Sequence, residues 1–173
     1  MPNIYKNMMD CQVKILLFHG LTGSTDSNYM HRTALLALER GDTVMRVNHR
    51  NCGKGFGLAK GPYHSGRAED LSSVIAYGKK IFPKHKHIAI GFSLSANALL
   101  LLLSGERGTV KPDAAIAVNA PINLEDSAYL LKKGFNRIYD FEFMRLSRRD
   151  VLKIKKGELK LPLYFTMHDF DNP

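Results

Sequence analysis

The sequence predicts an α/β fold: a mostly parallel sheet with helices on both faces. Short apolar runs alternate with longer stretches of helical periodicity between Val13 and Asn119, the pattern of βαβ units. No internal repeat and no Pro/Gly/Ser-rich linker divides the 173 residues, so one domain is expected. The 45% hydrophobic and 24% charged fractions are those of a soluble globular chain.

The elements follow in order. Val13 to Phe18 (VKILLF) is the first strand, followed at once by His19-Gly20. Leu35, Leu36 and Leu38 give the apolar stripe of a helix from about Asn28 to Arg40, which Gly41 stops. Thr43 to Val47 forms the second strand and ends at Asn48-His49-Arg50. The glycine-rich stretch from Asn51 to Gly66 is too long for a mere connector. Helix signals run from Arg67 to Ile81, and Pro83 closes them. Ile88 to Phe92 is the third strand, and Leu94 to about Leu103 a helix so rich in leucine and alanine that burial on most sides is expected. Ala114 to Asn119 gives the fourth strand, ahead of Ala120-Pro121. An irregular helical pattern continues to Arg149, then a basic stretch and a short apolar run, Leu161 to Met167. Right-handed crossovers place all the strand C-termini, and the loops after them, along one edge.

The net charge of +9 raises nucleic acid and anionic membranes as partners. The basic residues are spread out, with one denser region from Arg145 to Lys160 that mixes in apolar residues as a solvated helix face does. No recognition motif accompanies it, so nucleic-acid binding is not expected. A basic membrane-surface or nucleic-acid binder stays only as a weaker alternative. No run reaches the ~18 apolar residues of a membrane span. The N-terminus lacks the apolar segment of a signal peptide, which makes the cytoplasm the expected compartment. Cys11 and Cys52 are the only cysteines, and the seven histidines form no ligand spacing, so no metal or other cofactor is expected. His85 and His87 lie in a Lys-His-Lys-His run that reads as an exposed turn. His49 and His64 flank the glycine-rich loop, where a hydrogen-bonding structural role is expected. Gly53-Lys54-Gly55-Phe56-Gly57 lacks the spacing and position of a dinucleotide fingerprint.

Chemistry concentrates at Gly91-Phe92-Ser93-Leu94-Ser95, between a strand and an apolar helix. Such a turn projects the serine hydroxyl beyond the sheet edge and aims the next amide N–H at a developing oxyanion. Its tightness demands small residues two before and two after the serine. Gly91 meets that demand, and Ser95 meets it in part. Locally the segment fits a nucleophile elbow and an ordinary helix N-cap equally well. His19-Gly20-Leu21-Thr22-Gly23 favours the elbow, because it follows the first strand, where the other half of an oxyanion hole belongs. A P-loop would need a Lys-Ser/Thr pair that is absent here.

Six segments together resemble the YheT-like group of α/β hydrolases, which includes the plant embryogenesis-associated hydrolases. They are His19-Gly20-Leu21-Thr22-Gly23-Ser24, Asn48-His49-Arg50-Asn51-Cys52-Gly53, Tyr63-His64-Ser65-Gly66-Arg67, Glu69-Asp70-Leu71, Gly91 to Asn97, and Asn119-Ala120-Pro121. The resemblance implies an α/β-hydrolase fold and a serine esterase or lipase-like activity on carboxylic esters, acylglycerols among them. It implies Ser93 as nucleophile and the Leu21 and Leu94 amides as oxyanion donors, with His19, Gly20, Gly91 and Ser95 supporting loop and elbow. Two positions depart from the family pattern: Asn51 and Ser95 stand where glycine is usual. The first is expected to matter little, and the second to strain the elbow.

In this fold the acid and the histidine base follow the nucleophile. Downstream of Ser93 the chain offers Asp126, Asp140 and Asp150, then His168-Asp169-Phe170-Asp171. The resemblance assigns that last segment a non-catalytic place. The acid and base are therefore expected to be missing, and the chain to be a partial domain. Core strands and elbow would span about 12–121 and the start of a cap about 122–157, without the first antiparallel strands or the last strands. Two functions follow: a serine ester hydrolase, or a truncated non-catalytic remnant of one.

Overall fold

The computed structural model describes residues 13–59 and 61–154. The apolar run Leu161–Met167, His168, Asp169, Asp171 and Cys11 lie outside them. Four strands, β1 (Val13–Phe18), β2 (Thr43–Val47), β3 (Lys86–Phe92) and β4 (Ala114–Val118), form one sheet in the order β2-β1-β3-β4. Every neighbouring pair is parallel. Helix α1 (Asn28–Glu39) follows β1, α2 (Ala68–Ile81) follows β2, and α3 (Leu94–Ser104) follows β3. Beyond β4 come α4 (Leu124–Leu131) and α5 (Arg137–Ile154).

A strand buried on both faces needs a mostly apolar run, and β1 supplies one broken only by Lys14, whose ammonium sits over the Phe82 ring. Its side chains alternate between two cores. Leu16 and Phe18 pack with Ala68, Leu71 and Ile75 of α2 and with Ala98, Leu99 and Leu102 of α3. Ile15 and Leu17 pack with Met30, Ala34 and Ala37 of α1 on the other face. Each fully buried leucine or phenylalanine contributes about 1.5–3 kcal/mol, so these two clusters hold the sheet in register. Helix α3 is covered on most sides, as its composition predicts: Ser95, Ala96, Ala98, Leu99 and Leu102 are all buried.

The strands end level. Phe18 lies opposite Val47 on one side and Gly91 on the other, and Phe92 lies opposite Val118. His19, Asn48, Ser93 and Asn119 therefore all emerge on the same edge. Above it, Ala128 of α4 and Met144 of α5 pack against Leu21, Leu131 and Phe143. No described helix is long and apolar enough to cross a membrane.

The exposed turn expected at His85 and His87 is corrected for His87. Strand β3 begins two residues early, at Lys86, and alternation turns His87 inward, where it is 1% exposed. Room for its ring comes from Gly78 of α2, where a Cβ would stand 3.1 Å from His87 Cδ2.

Candidate active site

Each strand is followed by one non-glycine residue with positive φ: Thr22 at 59°, Asn51 at 55°, Ser93 at 52° and Asn119 at 52°. Such conformations cost of order 1–3 kcal/mol for most residues, less for asparagine, and all four lie on one edge of the sheet.

Ser93 joins β3 to α3 with φ 52° and ψ −117°. Gly91 makes this turn possible: a Cβ there would lie 2.7 Å from the Ser95 carbonyl oxygen and 3.0 Å from Ala96 Cα, both backbone atoms that cannot yield. The Ser93 N–H donates to the Val118 carbonyl at 2.9 Å, and its own carbonyl accepts from Ala96 N–H at 2.9 Å and Asn97 N–H at 3.2 Å. Its backbone is thus fixed to β4 and to α3, while the exposed side chain makes no capping hydrogen bond. An N-cap serine has extended backbone and an engaged hydroxyl. Ser93 has neither.

The loop after β1 passes directly beside this serine. A Cβ on Gly20 would come within 3.1 Å of Ser93 Cβ and 3.7 Å of Ser93 Oγ. The Gly20 carbonyl accepts from the Tyr63 hydroxyl at 2.8 Å, from Gly23 N–H at 3.1 Å and from His19 Nδ1 at 2.8 Å. In a trans peptide the C=O and the following N–H point in opposite directions, so fixing that carbonyl also fixes the Leu21 N–H. Among the described residues neither the Leu21 nor the Leu94 N–H has an acceptor. Leu94 opens α3, so its free N–H also carries the positive end of the helix dipole.

His49 is buried, as a structural role requires. Its Nε2 lies 2.5 Å from Ser95 Oγ, and Ser95 Oγ donates to the His19 carbonyl. A hydroxyl has one proton, so His49 Nε2 must be the donor to Ser95. The His49 backbone N–H in turn donates to His19 Nε2 at 3.2 Å, which leaves the His19 proton on Nδ1, facing Gly20. The His49 ring stacks on Tyr63 with centroids 4.5 Å apart, and His19 meets His49 edge-on at 4.6 Å. The Ser95 hydroxyl, on the position expected to strain the elbow, is buried and hydrogen-bonded on both sides.

Burial, then the neighbouring His19, pushes the His49 pKa down to about 3, and burial lowers His19 as well. Both rings are neutral in the folded chain near pH 7 and protonate readily once unfolded. At acid pH the unfolded state binds more protons, so stability is complete above pH ~6.5 and is lost as pH falls toward the folded values. The expected loss is about 1.4 kcal/mol per pH unit for His49 alone. Urea midpoints at pH 7, 6 and 5 check this; a midpoint flat across that range contradicts it.

The remaining loop contacts hold this edge together. Asn51 takes the left-handed conformation where glycine is usual. Its side chain accepts from Gly57 N–H at 3.0 Å and donates to the carbonyls of Ala59 (2.8 Å) and Gly61 (2.9 Å). Asn51 therefore organises the glycine-rich loop, contrary to the minor part expected of it. Arg50 and Asp70 form a bidentate pair between that loop and the first turn of α2. His64 is exposed and accepts from Gly66 N–H at 3.2 Å. A 420 Å³ cavity beside His49 is walled by Val47, Arg50, Leu58 and Asp70, and Ser93 does not line it. Among the described residues no three His, Cys, Asp or Glu side chains converge as metal ligands would.

Sequence reasoning brought Ser93, Gly91, Gly20, His19, Leu21 and Leu94 to this edge, and the fold puts them there. It did not single out Tyr29 and gave Tyr63, quoted only within a resembling segment, no role; their hydroxyls hold the loop from positions 9 and 43 residues away from Gly20.

No family model matches the chain. YheT of Escherichia coli (strain K12), a protein named as an esterase, is 33% identical over 140 residues, covering 81% of this chain and 41% of YheT. Over most of its own length the chain is similar to the YheT-like α/β hydrolases. A monoacylglycerol lipase of Saccharomyces cerevisiae is 29% identical over 126 residues, 72% of this chain and 28% of that protein. The chain thus spans less than half the length of these YheT-like relatives. The solved esterase Pf2001 of Pyrococcus furiosus shares the fold, with a TM-score of 0.58 at 22% identity, over 87% of this chain and 60% of that one.

Proposed function

We propose that this YheT-like chain carries the nucleophile and oxyanion side of a carboxylic-ester hydrolase site, with acylglycerols among its substrates. Ser93 Oγ attacks the ester carbonyl, and the Leu21 and Leu94 N–H groups receive the oxyanion. The alcohol leaves, and water then hydrolyses the acyl-serine. Two fixed donors in such a site are worth several kcal/mol at the transition state. The observation that carries this reading is the positive-φ Ser93, its side chain exposed and uncapped beside Gly20. The relatives' names, esterase and monoacylglycerol lipase, support the ester class.

The reading assigns the proton to no described histidine. His49 is bound to Ser95, both His19 nitrogens are engaged, and none of the described residues after Ser93 is a histidine. That observation favours a second reading, a chain that presents the nucleophile without its base. A fluorophosphonate probe followed by peptide mapping tests the nucleophile under either reading. At pH 9–10 hydroxide removes the proton, and the label is expected on Ser93 and absent from Ser93→Ala. Equal labelling of the two proteins removes Ser93 from its role.

A further inference from the structure

We infer that Ser95 is a positioning residue of this site, clamping the loop after β1 to the first turn of α3 so that the Leu21 N–H keeps its aim at Ser93. The inference deepens the ester-hydrolase reading and rests on it. The turn itself does not ask for this hydroxyl. The Cβ that Gly91 lacks would strike the backbone of Ser95 rather than its side chain, so the steric demand of the elbow is met without it. The hydroxyl instead reaches elements far away in sequence, the His19 carbonyl 76 residues off and the His49 ring 46 residues off, from a position 1% exposed.

Its effect falls on two consecutive peptides. In the His19–Gly20 peptide the carbonyl accepts from Ser95 Oγ, and the Gly20 N–H donates to the Tyr29 hydroxyl at 2.9 Å. In the next peptide the Gly20 carbonyl accepts from Tyr63, Gly23 and His19. Side chains from α1, α3 and the loop before α2 thus hold both planes. With both fixed, the Leu21 N–H has one direction available. His49 completes the arrangement, because its Nε2–H occupies a lone pair of Ser95 Oγ and turns the hydroxyl proton toward the His19 carbonyl. Removing the Ser95 hydroxyl frees one end of the first peptide and leaves the His49 donor buried without an acceptor.

Amide hydrogen exchange and NMR on the 173-residue chain test this without any reaction. In Ser95→Ala the Gly20 amide is expected to exchange at least ~10-fold faster and the Leu21 amide resonance to move. The His49 Nε2 resonance shifts with them, while core amides such as Leu16 and Ile90 stay within about twofold of wild type. Ser95→Cys, which keeps the shape and a weak donor, recovers part of the protection and stands in if the alanine variant does not fold. Gly20 and Leu21 amides unchanged in these variants overturn the inference. So does an equal acceleration of the core amides, which reduces Ser95 to a general stabiliser. Failure of the fluorophosphonate to mark Ser93 would count against the hydrolase reading alone, since the exchange pattern is measured independently of it.

Discussion

Gly91→Ala is expected to lower the melting temperature by roughly 6–12 °C, the equivalent of about 3 kcal/mol in a chain of this size. The added methyl has nowhere to go: its nearest neighbours are the Ser95 carbonyl at 2.7 and 2.9 Å and Ala96 Cα at 3.0 Å. Relief requires the start of α3 to move away from β3. That movement drags Ser93 off its position beside Gly20, and a displacement of about 1 Å is enough to cost ~10²-fold in reactivity. Differential scanning fluorimetry reads the first effect and the rate of fluorophosphonate labelling the second. A variant that melts within about 2 °C of wild type would mean that the turn is looser than these distances imply.

Ser93→Gly is expected to do the opposite to stability while ending the chemistry. The φ 52°, ψ −117° of Ser93 is that of the first central residue of a type II′ turn, which glycine adopts freely and serine does not. Relief of 1–3 kcal/mol of strain outweighs the ~0.5–1 kcal/mol that glycine costs through the unfolded chain. The net gain is about 1 kcal/mol, a rise of ~2–4 °C. Ser93→Ala removes the same hydroxyl and keeps the strain, so its melting temperature should match wild type. Thermal melts of the two variants side by side separate lost chemistry from relieved backbone; equal melting temperatures would argue that the elbow stores no strain.

Much of the architecture was legible because the physics behind it is local. The central strand β1 announces itself as an almost continuous apolar run, VKILLF, the edge strand β4 as the short run AAIAV, and a strand–glycine–serine–helix junction leaves few conformations for the serine. The side-chain network behind the site was not legible, because its contacts join residues 9 to 76 positions apart and no spacing rule connects Tyr29, Tyr63 or Ser95 to Gly20. His87 was hidden by its neighbours. A Lys-His-Lys-His run looks solvated, yet alternation alone sends that ring inward, and the gap at Gly78 that receives it lies on another element. Asn51 and Ser95 mislead in a related way. Judged against glycine each is a defect, whereas in the fold each side chain supplies hydrogen bonds that glycine lacks.

The most direct measurement is the pH dependence of Ser93 modification, read by peptide mapping after fluorophosphonate treatment of the 173-residue chain. On the proposal that the Leu21 and Leu94 N–H groups are the oxyanion donors and that no described histidine acts on Ser93, hydroxide takes the proton. The rate is expected to rise about tenfold per pH unit from 7 to 10, with Ser93 modified about 10²-fold faster than the other serines. A rate that instead levels off above a midpoint near pH ~6.5 would reveal a histidine base at work. Modification spread evenly over the serines would contradict the central claim, that this fold presents Ser93 to an oxyanion site.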